Sequence, residues 1–177
     1  MAVTIDATAG GGSANSFVTE VEQIAYMATR LNASAWTTVS GTTCTNTEKQ
    51  AMVEATRELS VLNWYGRRTD TVQVLAWPRW AVVNPDSPVG FLYNSAIVPD
   101  RVKNATCELA FQFLNAGTTD LAAVDPNAGV IEKTVDVLTT RWNSFRRPTG
   151  LARFPSVTRF IRPLYAGSSS SATLVRG

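Results

Sequence analysis

The side chains with the clearest potential for chemistry are arginines that lie close to tryptophans in the middle of the chain. The sequence brings Trp77 and Trp80 near Arg67, Arg68 and Arg79. Aromatic rings can stack on the bases of single-stranded nucleic acid while guanidinium groups bind its phosphates. The same residue types can also pin a loop to helices, cap carboxylates or contact a neighbouring protein. We favour the second interpretation and predict that these five residues belong to an inter-subunit or partner loop.

A second concentration of arginine lies in the C-terminal part of the chain. After Asp136 there are seven arginines and no acidic residue, whereas residues 1–136 hold nine basic and fourteen acidic residues, a net charge of −5. Arginine binds carboxylate or phosphate through two parallel hydrogen bonds. We therefore predict a basic docking arm on a mildly acidic body. Its predicted docking residues are Arg146, Arg147, Arg153, Phe154, Val157, Arg159, Phe160, Ile161, Arg162 and Leu164.

The residue types that enzymes most often use are scarce. The chain has no histidine, and its two cysteines, Cys44 and Cys107, do not have the spacing of metal ligands. No serine lies in a nucleophile elbow, and the glycines at 10–12 lack the Lys-Ser/Thr of a phosphate loop. We predict no catalytic residue, no metal, no cofactor and no enzymatic activity. Without a signal peptide or a bilayer-length apolar run, we also expect no membrane association.

Three segments combine helical periodicity with helix-start signals. The first begins near Thr19, which has an acidic residue at capping-box spacing. The second begins near Thr47 with Gln50 as its capping partner, and runs to about Trp64. The third starts with Pro99, whose missing N–H is harmless in a first turn. The buried stripe predicted for the third helix is Val102, Thr106, Leu109 and Phe113.

These elements define a body and two terminal segments. We predict a flexible or extended lead at residues 1–16, a helical body at 17–142 and an arm at 143–177. Within the body, residues 67–98 form a long Trp/Pro-rich loop, because proline disfavours helix interiors and central strands. The predicted fold class is mainly α, a small bundle of three main helices with a short β element and an extended C-terminal arm.

Two shorter patterns complete the prediction. Residues 130–140 alternate between apolar and polar side chains, which indicates a half-buried strand. This strand could pair with one near residues 72–75 or with strands of neighbouring subunits. Apolar residues between 157 and 164 have the spacing of a short amphipathic helix, which is too short to be stable alone. Such a helix docks on its own body or on a partner, and we favour the partner.

An ordered set of short motifs then carries a resemblance. Residues 14–19 read Ala-Asn-Ser-Phe-Val-Thr, residues 48–56 read Glu-Lys-Gln-Ala-Met-Val-Glu-Ala-Thr, and residues 75–79 read Leu-Ala-Trp-Pro-Arg. Ile-Val-Pro at 97–99 precedes Val-Lys-Asn-Ala-Thr-Cys-Glu-Leu-Ala at 102–110. This order resembles a family of small phage proteins often labelled DnaT-like, and it is similar in plan to the head–tail adaptor (connector) proteins of long-tailed phages.

The resemblance implies a structural role in a virion. It implies a homo-oligomeric ring, commonly a dodecamer, that sits under the portal protein at the head–tail interface and is assembled in the host cytoplasm. The C-terminal segment would grip the portal, and a tail completion (stopper) or tail-tube protein would be the other partner. Packaged DNA would pass through the lumen without sequence-specific binding. The loop around residues 84–93 is longer than in the family pattern.

Two alternatives remain open at this point. The DnaT-like label implies a single-stranded DNA-binding protein that assists replication, which agrees with the Trp and Arg residues of the loop. A head decoration protein or a tail-tube component is a third possibility. Under the adaptor hypothesis, deleting residues 144–177 should leave a folded body that no longer binds the portal.

Overall fold

Helices make up most of the regular structure. The computed structural model describes residues 2–88, 90–117, 130–134, 139–142 and 150–166, with only the backbone described in the two ranges between 130 and 142. The α-helices are α1 (Glu20–Thr29), α2 (Asn46–Ser60), α3 (Asp100–Ala116) and α4 (Pro155–Ile161). The strands are β1 (Arg67–Arg68), β2 (Arg79–Trp80), β3 (Val130–Thr134) and β4 (Thr139–Trp142), and a 3-10 helix covers Gly150–Arg153. The predicted mainly α fold with a short β element is confirmed.

The first two helices begin at threonines that form reciprocal capping boxes. α1 begins after Thr19, whose side chain and that of the glutamate three residues later each accept the other's backbone N–H. In α2 the cap is Thr45 and its partner is Glu48. The predicted pair of Thr47 and Gln50 is therefore wrong by two residues. A carboxylate accepts these hydrogen bonds more strongly than an amide oxygen does, which favours Glu48 as the partner.

α3 lies at the centre of the fold and packs against α1, α2 and α4. The predicted stripe is confirmed by the burial of Val102, Thr106, Leu109 and Phe113. Ala105 and Ala110 are also fully buried, and their small side chains let neighbouring helices come close. The helix ends at Gly117, which has a left-handed φ of 65° that glycine adopts without steric cost.

The C-terminal segment packs on its own body. The side chains of Val157, Ile161 and Leu164 are fully buried, and α4 lies against α3. Just after α4, the carbonyl of Leu164 accepts the backbone N–H of Tyr65 at 3.0 Å. Our preference for a partner as the docking surface of this helix is therefore wrong. Its apolar face leaves water within the chain itself, which is sufficient reason for a short helix to form.

The same segment fixes the end of α2. Trp64 forms an isolated antiparallel bridge with Tyr165, and its indole N–H donates to the carbonyl of Leu59 at 2.8 Å. Both contacts require a backbone that is no longer helical. The helix consequently ends at Ser60, four residues before the predicted end near Trp64.

The β structure consists of two separate antiparallel pairs. β1 pairs with β2, and β3 pairs with β4. The strand predicted within residues 130–140 is present as β3, but it pairs with β4 and not with residues 72–75. β4 follows β3 closely in sequence, so this pairing closes a much shorter loop than pairing with residues 72–75 would. Pairing with strands of neighbouring subunits stays a prediction.

Candidate interaction surface

The β1–β2 pair places two arginines beside an exposed tryptophan. Arg67 lies directly opposite Trp80 and Arg68 lies opposite Arg79. Arg67 and Arg68 are exposed, and so is Trp80, with 55% of its surface in contact with solvent. Among the described residues, Arg67 has no ion-pair partner. We call Tyr65, Arg67, Arg68 and Trp80 the hairpin platform, because all four are exposed at this short pair of strands.

A glycine makes this pairing possible. Gly66 has φ of 72°, and a Cβ atom built at this position would lie 2.1 Å from the carbonyl oxygen of Trp80. No side chain can occupy that space, and the left-handed backbone is itself unfavourable for other residues. Gly66 therefore sets both the turn out of the α2 region and the close approach of the second strand.

Arg79 has a different role from its neighbours. Its guanidinium donates to the backbone carbonyls of Tyr65 at 2.8 Å, Ala76 at 3.1 Å, Gly66 at 2.7 Å and Trp64 at 3.4 Å. Burial lowers the pKa of Arg79, and the nearby charge of Arg68 lowers it further. Arg79 therefore ties together the loop in which it lies, and a partner contact at this half-buried residue stays a prediction.

Trp77 is likewise part of the interior. It is almost fully buried, and its ring lies edge-on between Trp64 at 5.5 Å and Tyr93 at 6.3 Å. Edge-to-face contacts of this kind stabilise a core beyond the burial of area alone. The favoured interpretation, in which tryptophans pin the loop to the helices, is therefore confirmed for Trp77, whose burial leaves it no surface for a partner. Of the predicted loop residues, Arg67, Arg68 and Trp80 are the ones that face solvent.

A second exposed feature follows the platform in the chain. Residues 81–88 and 90–97, which we call the knob, fold back on themselves through a bridge between Val83 and Leu92. The backbone N–H of Asn84 donates to the carbonyl of Phe91 at 2.8 Å. Phe91 has 67% of its surface exposed and Leu92 has 56%. An ion pair between Asp86 and Arg101 ties the knob to the first turn of α3.

The sequence singled out the loop around residues 84–93 but did not predict which of its side chains face solvent. Because residues 67–98 have no regular period, nothing in the pattern separates inward from outward side chains. Composition does hold a signal, since the segment contains aromatic residues and three arginines but neither lysine nor glutamate. Protein interfaces are enriched in the first group and depleted of the second.

The predicted docking residues of the arm differ in how far they are buried. Val157, Ile161 and Leu164 are buried in their own subunit, so they are not available to a partner in the folded chain. Phe154 and Phe160 are partly buried against the same core. The guanidinium groups of Arg153 and Arg159 lie over the rings of the phenylalanines that follow them, and Arg162 is exposed. Arg146 and Arg147 lie outside the described residues.

Two buried carboxylates hold the helices together. Glu108 forms a bidentate ion pair with Arg30, with both distances at 2.8 Å, and so joins α3 to the end of α1. Glu48 accepts hydrogen bonds from the backbone N–H groups of Thr37, Thr38 and Thr45. Burial alone would raise the pKa of both carboxyls, but these donors hold each at about 2. The groups that bond these two carboxylates belong to the helices and loops of the chain itself, so both carboxylates hold the fold together.

The described residues contain neither a candidate metal site nor a candidate membrane span. Within them, no group of three or more His, Cys, Asp or Glu side chains is arranged to hold a metal ion. None of the described helices has the length and hydrophobicity needed to cross a bilayer.

Comparison with known proteins gives one family. The model of the family described as "Putative DnaT-like ssDNA binding protein" matches residues 1–177. No curated protein and no solved structure matches the chain significantly.

Proposed function

We propose that this chain, which belongs to the family described as "Putative DnaT-like ssDNA binding protein", is a structural head–tail adaptor of a tailed phage. In this proposal it assembles as a ring beneath the portal and links the portal to a tail completion or tail-tube protein. It works as a virion component and not as an enzyme. Packaged DNA passes through the ring without being read.

Exposed apolar side chains between residues 72 and 97 carry this proposal. More than half of the large apolar side chains that are exposed among the described residues lie there, namely Val72, Val74, Trp80, Val83, Phe91, Leu92 and Ile97. Apolar surface concentrated in this way is typical of a protein–protein contact. A chain that works alone would gain nothing from it, whereas a ring subunit covers it in every copy.

The burial of α4 changes how the portal anchor must be tested. Deleting residues 144–177 would remove Val157, Ile161 and Leu164 from the core and unfold the body, so a loss of binding would mean nothing. Arg162→Ala removes an exposed arginine of the predicted arm and keeps those contacts. In our proposal this variant leaves the thermal midpoint unchanged and weakens binding to the portal.

Electron microscopy and native mass spectrometry of the full chain test the proposal directly. We expect closed rings of about a dozen subunits, with or without added portal protein. Purified virions should contain a similar number of copies, whereas a decoration or tail-tube protein would be present in far greater number. A chain that stays monomeric both alone and with the portal protein would contradict the adaptor.

Single-stranded DNA binding is the second candidate, and the hairpin platform supports it. Arg67 and Trp80 are cross-strand partners, so a base could stack on the ring while the guanidinium binds a phosphate. The family description also names this activity.

Fluorescence anisotropy with a labelled oligothymidine tests this candidate. Binding should be strong at about 50 mM salt and fall steeply as salt rises, because phosphate contacts release counterions. Trp80→Ala should weaken it by roughly 5- to 150-fold, the range measured for stacked bases. Arg57→Ala is the matched control, since that arginine is exposed on α2 away from the platform. No binding at low salt would exclude this function.

A further inference from the structure

We propose that the knob of one subunit binds an open pocket at the far end of α3 in the next subunit. This inference rests on the ring proposed above and names the surfaces that form it. It makes the contact between copies heterologous, with two different patches meeting at every interface. Contacts of that kind close into rings when the rotation between copies allows it.

The pocket, which we call the socket, has a volume of about 1070 Å³. Its described walls come from the N-terminal lead, from α2 and from the last turn of α3. The lining is mixed, with apolar walls at Val3, Val53, Phe113 and Leu114 and polar side chains that include Asn15, Thr47 and Gln50. A pocket of this size holds several side chains, and the apolar part of its wall can bury an aromatic ring.

The positions of knob and socket exclude contact within one chain. α3 has 17 residues, so its ends lie about 25 Å apart. The knob leads directly into the first turn of α3, where Asp86 pairs with Arg101. Phe113, Leu114 and Gly117 place the socket at the last turn. A knob can therefore fill only the socket of another copy.

The charges of the two surfaces also favour a second copy as the occupant. Asp86 is the charged residue of the knob, and it is already paired with Arg101. The charged residues of the socket wall are Glu54 and Arg57, which pair with each other at 3.0 Å. Neither surface brings an unpaired charge into the contact. Because burying an unpaired charge is costly, a largely neutral knob suits this socket better than the basic segments of the chain do.

Burial of the exposed apolar side chains of the knob gives the proposed contact its driving force. Phe91 and Leu92 are more than half exposed in the single chain, although both are large apolar residues. An aromatic side chain that enters a pocket is the usual centre of an interface. We therefore place Phe91 at the middle of the proposed contact, opposite Val53.

Disulfide trapping tests the pairing. The variant carrying both Phe91→Cys and Val53→Cys should form a ladder of covalent oligomers under mild oxidation. Each single variant should stay monomeric on a non-reducing gel, and a mixture of the two single variants should give dimers only. The native thiols of Cys44 and Cys107 are buried, and burial raises the pKa of Cys44 to about 12, so neither should contribute.

The possible failures have different meanings. Rings seen by microscopy without a ladder in the double variant would overturn the knob and socket while leaving the adaptor intact. Dimers of Phe91→Cys alone would show a symmetric contact between knobs and would also overturn it. If Val53→Cys resists a maleimide reagent in the dissociated chain, another segment of the same chain fills the socket, and the inference fails. If the chain forms neither rings nor cross-links, the proposed function fails as well.

Discussion

The region around α3 and the region from residue 67 to 98 use apolar side chains in opposite ways. In α3, large residues such as Leu109 and Phe113 are buried by helices of the same chain. In the loop, Trp77 is buried, but Trp80, Phe91 and Leu92 remain in water. The first region explains why the chain folds. The exposed side chains of the second region are not needed for the fold, and we therefore assign them to a contact with another molecule.

Two leucines give the strongest test of this contrast between buried and exposed apolar side chains. Leu164 is fully buried, whereas Leu92 is 56% exposed in the knob. We expect Leu164→Ala to lower the free energy of unfolding by about 2–5 kcal/mol through lost burial and a cavity. Leu92→Ala should change it by no more than about 0.5 kcal/mol. Urea unfolding followed by circular dichroism measures both, and similar losses in the two variants would show that the knob is part of the core.

A second prediction concerns Arg79 and Arg67, which lie on adjacent strands. Arg79→Ala leaves several backbone carbonyls without their donor, so we expect a loss of about 1–3 kcal/mol in unfolding free energy. Arg67→Ala removes an exposed charge and should have almost no effect on stability. Thermal unfolding of both variants checks the difference. Equal thermal midpoints would mean that the carbonyls to which Arg79 donates find other donors.

The third prediction is that the stability of the helical region depends on pH. The folded pKa of Glu48 and of Glu108 is about 2, below the ordinary value of 4.5. A carboxyl with a lowered folded pKa stabilises the protein above its unfolded pKa, and this contribution is lost as pH falls from about 4.5 to about 2. The thermal midpoint should fall over that range, and less steeply in Glu48→Gln. Asp70→Asn, at an exposed carboxylate outside the helices, is the control.

The variant with the smallest expected effect on stability gives the most information about function. Phe91→Ser should leave the unfolding free energy within about 0.5 kcal/mol of the wild type, because the side chain is mostly in water already. The same variant should lose ring formation in native mass spectrometry. Ile97→Ser, at the base of the knob, should weaken assembly less. A Phe91→Ser variant that still forms rings would remove the knob from the interface.

The sequence predicted a helix correctly where the period of its apolar residues and its capping residues indicate the same boundaries. The stripe of α3 is correct because Val102, Thr106, Leu109 and Phe113 repeat at helical spacing and Gly117 ends the helix. The start of α2 was misplaced because Thr45 and Thr47 both have a capping partner three residues later. Only the fold decides between them, since Glu48 also accepts the N–H groups of Thr37 and Thr38.

The site could be predicted only in part. Proximity in sequence correctly grouped Arg67, Arg68 and Trp80, but it could not distinguish Trp80 from the buried Trp77 three residues earlier. The spacing of residues 157–164 correctly indicated an amphipathic helix. Its docking surface depends on α3, which lies far away in sequence, so spacing could not show whether that surface belonged to the same chain.

The late position of α4 in the chain has a consequence for biosynthesis. α3 ends at Ala116 and α4 begins at Pro155, so the ribosome needs on the order of 2–8 seconds to make the residues between them. During that interval the newly made α3 cannot complete its packing, since Val157, Ile161 and Leu164 do not yet exist. Nascent chains therefore expose the apolar face of α3 for seconds, and this is the kind of surface that chaperones bind.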